Sequence, residues 1–167
     1  MLSESPDIRD WANFFGAEAG AAESLTGLVI VAISINLSRI LSFPQLPGRA
    51  IETLAMLVGV LLVSSVGLAP GQPKAALGME IFAIGFAMWL VSVTTSMRDR
   101  GEPVPGKAWA PALRLLVGQL ASVPFVIAGV AVALWGAGGL IWILAGTLFC
   151  LFAGVMHAWV LLVEVVR

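Results

Sequence analysis

The 167-residue chain is too apolar for a soluble domain, since 59% of its residues are hydrophobic and 11% are charged. An average soluble domain has roughly 45–50% apolar and about 25% charged residues. The formal net charge of −1 argues against a nucleic-acid partner, and the single cysteine, Cys150, excludes an internal disulfide or a cysteine metal cluster. The composition predicts one domain over residues 1–167 that has the lipid bilayer as its solvent.

Five apolar runs are long enough to cross a bilayer, which requires about 20 residues per helix. They are separated by segments rich in proline, glycine or charge, and they cover residues 24–43, 50–69, 75–96, 112–135 and 140–163. The sequence therefore predicts an all-α, polytopic transmembrane bundle with five spans. A four-span alternative merges the last two runs or makes them re-entrant. The helix of the first run can also begin earlier, near Trp11.

The basic residues predict the orientation of the bundle, because Lys and Arg accumulate in short cytoplasmic loops. With five spans, seven of the nine basic residues fall on the side of the C-terminus. These seven are Arg39, Arg49, Arg98, Arg100, Lys107, Arg114 and Arg167, whereas Arg9 and Lys74 fall on the other side. The prediction is an external N-terminus and an internal C-terminus.

The first span has two distinct faces at helical spacing. One face consists of small residues and one glutamate, namely Gly16, Gly20, Glu23, Gly27, Ser34 and Ser38. The second face has polar groups at both ends, and comprises Glu18, Ala22, Leu25, Val29, Ala32, Asn36 and Arg39. Small residues let another helix approach closely. We expect this span either to be central in the bundle or to line a contact between subunits of a homo-oligomer.

The polar residues of the spans form two predicted layers. The outer layer is Glu18, Glu23 and Glu80, and the inner layer is Asn36, Arg39, Glu52, Arg114, Gln119, His157 and Glu164. Carboxylates in the outer layer suit a hard cation, but the same residues can lie among headgroups and favour the positive end of a helix dipole. In the inner layer we expect Arg39 to pair with Glu52 across a short loop or, as the alternative, to extend toward the membrane surface, and we expect Asn36 to bond to another helix.

His157 is the only histidine of the chain. It is a candidate proton relay or metal or haem ligand, and the alternative is a structural hydrogen bond. Because the chain has one histidine, it cannot supply both axial ligands of a bis-histidine haem by itself. No nucleotide-binding, zinc-protease or hydrolase motif is present. We therefore predict no cofactor and favour a protein that is not an enzyme.

The segments GAAESLTGLVIVAISINLSRIL and LPGRAIETLAMLVGVLLVSS resemble the first two spans of small bacterial integral membrane proteins of uncharacterised activity. The resemblance implies a multi-pass protein of a bacterial inner membrane and brings no activity with it.

Three functions follow as hypotheses. The first is an oligomeric transport or channel protein for cations, with Glu18, Glu23 and Glu80 at the external mouth of a pathway between subunits. The second is a non-conducting assembly or scaffold protein, in which the small residues serve subunit packing. The third is a membrane redox protein or enzyme that uses His157.

Overall fold

The computed structural model describes residues 11–43, 46–98 and 110–159, with the side chains of residues 110 and 111 excepted. Five residues used in the sequence predictions lie outside this part of the chain: Arg9, Arg100, Lys107, Glu164 and Arg167.

The described ranges are almost wholly helical and contain no strand, which confirms the all-α prediction. The α-helices are α1 (Ala12–Ile35), α2 (Leu37–Ser42), α3 (Leu46–Leu68), α4 (Lys74–Arg98), α5 (Ala110–Trp135) and α6 (Ile141–Trp159). A 3₁₀ turn, Gly136–Leu140, joins α5 to α6.

Four segments are long and apolar enough to cross a membrane, namely α1, α3, α4 and Ala112–Trp159. The last of these folds back on itself at the 3₁₀ turn, where Gly136 has a φ of 66°. Cys150 Sγ of α6 donates to the carbonyl oxygen of Ala121 in α5 at 3.3 Å. A Cβ atom on Gly146 would lie 2.8 Å from the ring of Phe125. These contacts show that α5 and α6 are antiparallel, so the described residues contain five long helices, of which the last two belong to one apolar segment.

The first helix differs from its prediction at both ends. It begins at Ala12 instead of Ser24, as the alternative start near Trp11 had indicated, and it stops at Asn36. Asn36 Nδ2 and the Asn36 backbone N–H both donate to the Ala32 carbonyl, at 3.1 and 3.3 Å. An asparagine side chain that competes for a helix carbonyl disturbs the regular ladder. The predicted continuous helix over residues 24–43 is therefore two helices, α1 and α2.

The tightest helix contact lies between α4 and α5, away from the glycines of α1. A Cβ atom on Gly78 of α4 would lie 2.6 Å from the backbone nitrogen of Ala133 in α5. In contrast, only 17% of the apolar stretch of α1 is buried, compared with 44% for α3. The expectation that the first span is central in the bundle is wrong for a single protomer, because α1 lies at its periphery.

Candidate functional sites: a buried polar cluster and an open helix face

The two ends of the bundle differ in charge. We call the end at which α3 begins and α4 ends the basic end, because Arg49, Arg98 and Arg114 lie toward it. The other end, at which α1 begins, is the amino end. On the predicted topology the basic end is cytoplasmic.

Glu52 of α3 is buried within the apolar part of the bundle, with 3% of its surface exposed. Ser92 of α4 donates its Oγ–H to Glu52 Oε1 at 2.8 Å, and Arg114 of α5 donates its Nε–H to Glu52 Oε2 at 3.0 Å. A charged carboxylate away from water is tolerated when it has an opposite charge and hydrogen bonds. Glu52 therefore links three helices and has its charge balanced inside the protomer.

Gly118 of α5 provides the space for this arrangement. A Cβ atom at this position would overlap Ser92 Oγ and would lie 3.0 Å from Glu52 Oε1. Because Arg114 and Gly118 are four residues apart, they share a face of α5. The sequence predictions missed Ser92 and Gly118; the one available signal was the spacing of Gly118 from a charged residue of the same span.

Thr53 and His157 form a second polar pair beside Glu52. Thr53 is fully buried, and its Oγ1–H donates to the Arg49 carbonyl at 2.8 Å. His157 Nδ1 lies 2.8 Å from the same oxygen. Since the hydroxyl has one proton and directs it at Arg49, we assign the donor role to Nδ1–H. We refer to Glu52, Thr53, Ser92, Arg114 and His157 as the inner cluster.

With the proton on Nδ1, the lone pair of the His157 ring is on Nε2. In the described part of the chain, no three His, Cys, Asp or Glu side chains lie close enough together to hold a metal ion. The contact with Thr53 is the kind of structural hydrogen bond expected for His157 as the alternative to a proton relay or a metal or haem ligand.

The other residues of the predicted inner layer are dispersed. Arg39 is exposed on α2, so its predicted pairing with Glu52 is wrong, and Arg114 occupies that position instead. Asn36 Nδ2 donates within its own helix. Gln119 Oε1 accepts a hydrogen bond from Trp89 Nε1 at 2.9 Å, which joins α5 to α4.

The structure does not bring the three outer-layer glutamates together within one protomer. Glu18 is partly buried on the inward face of α1, and its Oε2 atom is buried without a hydrogen-bond partner among the described residues. Glu23 is exposed on the outward face. Glu80 Oε2 accepts a hydrogen bond from Gln72 Nε2 at 3.0 Å. Each carboxylate has a different environment, so a single protomer contains no common external mouth.

The small-residue face of α1 is open among the residues that the structure describes. Cβ atoms built on Gly16, Gly20 and Gly27 would meet no atom within 4 Å. Glu23 and Ser34 on the same face are also exposed. We call these five residues the open face of α1. Ser38, the last member of the predicted stripe, is exposed on α2. The opposite face is the one that packs, since Ala22, Val29 and Ala32 are fully buried.

Glu23 lies part of the way along the packed length of α1. Phe15 packs against Gly67 near the carboxyl-terminal end of α3, which is at the amino end of the bundle, and Val29 joins Leu57, in the middle of α3, in one apolar cluster. Glu23 is between these two levels, eight residues or about 12 Å of helix rise from Phe15. The exposed carboxylate is therefore inside α1, one of the segments long and apolar enough to cross a membrane, and does not lie at the end of that helix.

No protein-family model matches the chain, and no curated protein or solved structure is significantly similar to it. Function is therefore argued from the two sites alone.

Proposed function

We propose that the protein is an oligomeric transport or channel protein of the membrane that moves cations along contacts between its α1 helices. The observation that carries the proposal is Glu23, an exposed carboxylate on the open face of a helix that is long and apolar enough to cross a membrane. Placing a charged side chain at the centre of a membrane helix costs roughly 2.5–3.5 kcal/mol on insertion scales. Cover by protein or water at an intersubunit contact removes that exposure to lipid.

Among the described residues, the core of the protomer offers no polar route for a cation. Between the inner cluster and the amino end, the core contains fully buried apolar side chains such as Phe15, Val60, Ile81 and Phe125. A path between copies avoids this core. When open faces meet, the glycines allow close approach and several Glu23 carboxylates converge, which is the oxygen-rich environment that selects cations in channels.

The inner cluster has a supporting role in this proposal. Arg114 neutralises Glu52, so the pair presents no net charge to a cation. Its contacts instead hold α3, α4 and α5 together at the basic end.

Flux of monovalent and divalent cations into liposomes tests the proposal. Glu23→Gln removes the charge at nearly constant size and is expected to reduce flux several-fold. Glu80→Gln is the matched control, because Glu80 already has Gln72 as a partner at the amino end. Absence of flux in the parent protein, or equal flux in the parent and Glu23→Gln, would contradict the proposal.

A second candidate is a non-conducting assembly protein, and the open space around Gly16, Gly20 and Gly27 favours it equally. In that case the three glycines serve helix packing alone. Gly20→Leu would separate the copies under both candidates, because a large side chain prevents the close approach. The two differ at Glu23, since a scaffold tolerates Glu23→Gln without any change in ion movement, and its parent protein shows no flux.

A further inference from the structure

An apolar groove of about 350 Å³ lies between α3 and α4, outside both candidate sites. Its walls include Ala55, Gly59 and Leu62 of α3 and Ala83, Ala87 and Val91 of α4. No wall residue is charged. The groove is open on the outer side of the bundle, where lipid surrounds a membrane protein.

Small side chains along both helices create this groove. Ala55 and Gly59 on one wall, and Ala83 and Ala87 on the other, leave space that larger residues would fill. Met88 forms the floor of the groove, since its side chain occupies the position that a Cβ atom on Gly59 would need. The groove is thus a recess between α3 and α4 with an apolar lining.

A cation stands in line with the groove at the basic end. Arg98 follows Val91 by seven residues, which is two helix turns, so both lie on the same face of α4. The rise between them is about 10 Å. Arg98 is exposed in the last turn of α4. One straight path therefore leads from a guanidinium at the membrane surface to an apolar recess in the hydrocarbon.

We propose that this groove binds one acyl chain of a glycerophospholipid from the leaflet at the basic end, with the lipid phosphate bound by Arg98. The ligand is identified by the order of the two chemistries along α4. A phosphate joined through glycerol to an acyl chain matches a surface cation followed by an apolar recess, and arginine binds phosphate by paired hydrogen bonds. This inference does not depend on the proposed transport activity.

Native mass spectrometry of the full-length protein, released from vesicles of phosphatidylcholine and phosphatidylglycerol, measures the number and type of retained lipids. Ala87→Phe fills the groove and is expected to lower lipid retention by about tenfold or more, which corresponds to roughly 1.4 kcal/mol of binding free energy. Ala145→Phe is the matched control, since Ala145 is exposed on α6 away from the groove. Arg98→Gln should lower retention of both lipids, and of phosphatidylglycerol most.

Three results would overturn the inference. Equal lipid retention by Ala87→Phe and Ala145→Phe would show that the groove holds no lipid. A change in the oligomeric mass of Ala87→Phe with unchanged lipid retention would show that a second copy of the chain fills the groove. Loss of lipid in Ala87→Phe but not in Arg98→Gln would remove the assignment of the phosphate site. Circular dichroism spectra that match the parent protein are the condition for including each variant.

Discussion

Glu52 and Glu23 are the same residue type in two apolar helices, but their environments within the protomer are opposite. Glu52 is buried and accepts hydrogen bonds from Ser92 and Arg114 on two neighbouring helices. Glu23 is exposed on a helix face whose glycines contact no other part of the described protomer. Two neighbouring helices satisfy the first carboxylate, whereas the second has no such partner among the described residues.

The difference shows which polar group of a membrane bundle points to function. A buried charge with its own partners is part of the architecture, because removing either partner exposes the other to a low-dielectric interior. An exposed charge inside an apolar helix has no such internal explanation. We therefore propose the pathway at the open face of α1 and expect the inner cluster to govern stability.

The largest expected effect is at Glu52. Glu52→Leu removes the buried carboxylate that accepts hydrogen bonds from Arg114 and Ser92, and breaking a buried pair in this way costs about 3–5 kcal/mol. Thermal or denaturant unfolding in detergent should show this loss, together with reduced expression. The double variant Glu52→Leu/Arg114→Leu should recover most of it. If the single and double variants are equally stable, the ion pair does not hold the basic end together.

A smaller loss is expected when Gly118 is enlarged. Gly118→Ala places a methyl group on Ser92 Oγ and against Glu52 Oε1, and overpacking of this kind costs about 1–3 kcal/mol. Gly138→Ala is the control, because no atom lies within 4 Å of its Cβ position and its φ is not positive. The account of the cluster fails if Gly118→Ala unfolds at the same temperature as the control.

The smallest of the three effects concerns the second polar pair. Thr53→Val keeps the size of the side chain but removes the acceptor for His157 Nδ1–H, and loss of one neutral hydrogen bond changes stability by about 1 kcal/mol. Thr94→Val is the control, since the Thr94 hydroxyl is exposed and bonds within its own helix. Nitrogen NMR of the imidazole should report a change in the Nδ1 environment in Thr53→Val only. An unchanged signal would contradict the assigned hydrogen bond.

The apolar runs predicted the all-α fold and its long helices well, because length and hydropathy are properties of each segment alone. The start of α1 was harder to predict, since Ala12 to Gly20 includes small residues and Glu18, which lower the hydropathy of a helix without preventing it. The break at Asn36 depends on two hydrogen bonds to one carbonyl, which periodicity does not encode.

At the candidate sites, the main error of the sequence-based prediction was the hydrogen-bond and ion-pair partner of Glu52. Glu52, Arg114 and His157 were all named as inner-layer residues, but Arg39 was paired with Glu52 because the two are close along the chain. The actual partners come from α4 and α5, which reach Glu52 only after the helices pack around Gly118. The two faces of α1 were recognised from spacing, and the structure then identified which of them packs.

Cysteine cross-linking in native membranes tests the central claim most directly, namely that a second copy covers the open face of α1. The variant Gly20→Cys, in a background with Cys150→Ala, places one thiol on that face, and a disulfide requires two Cα atoms within about 4.4–6.8 Å. Ala145→Cys on α6 is the control. We predict an oxidant-dependent dimer for Gly20→Cys and a monomer for Ala145→Cys. A monomer for Gly20→Cys, or equal cross-linking of the two variants, would contradict the account.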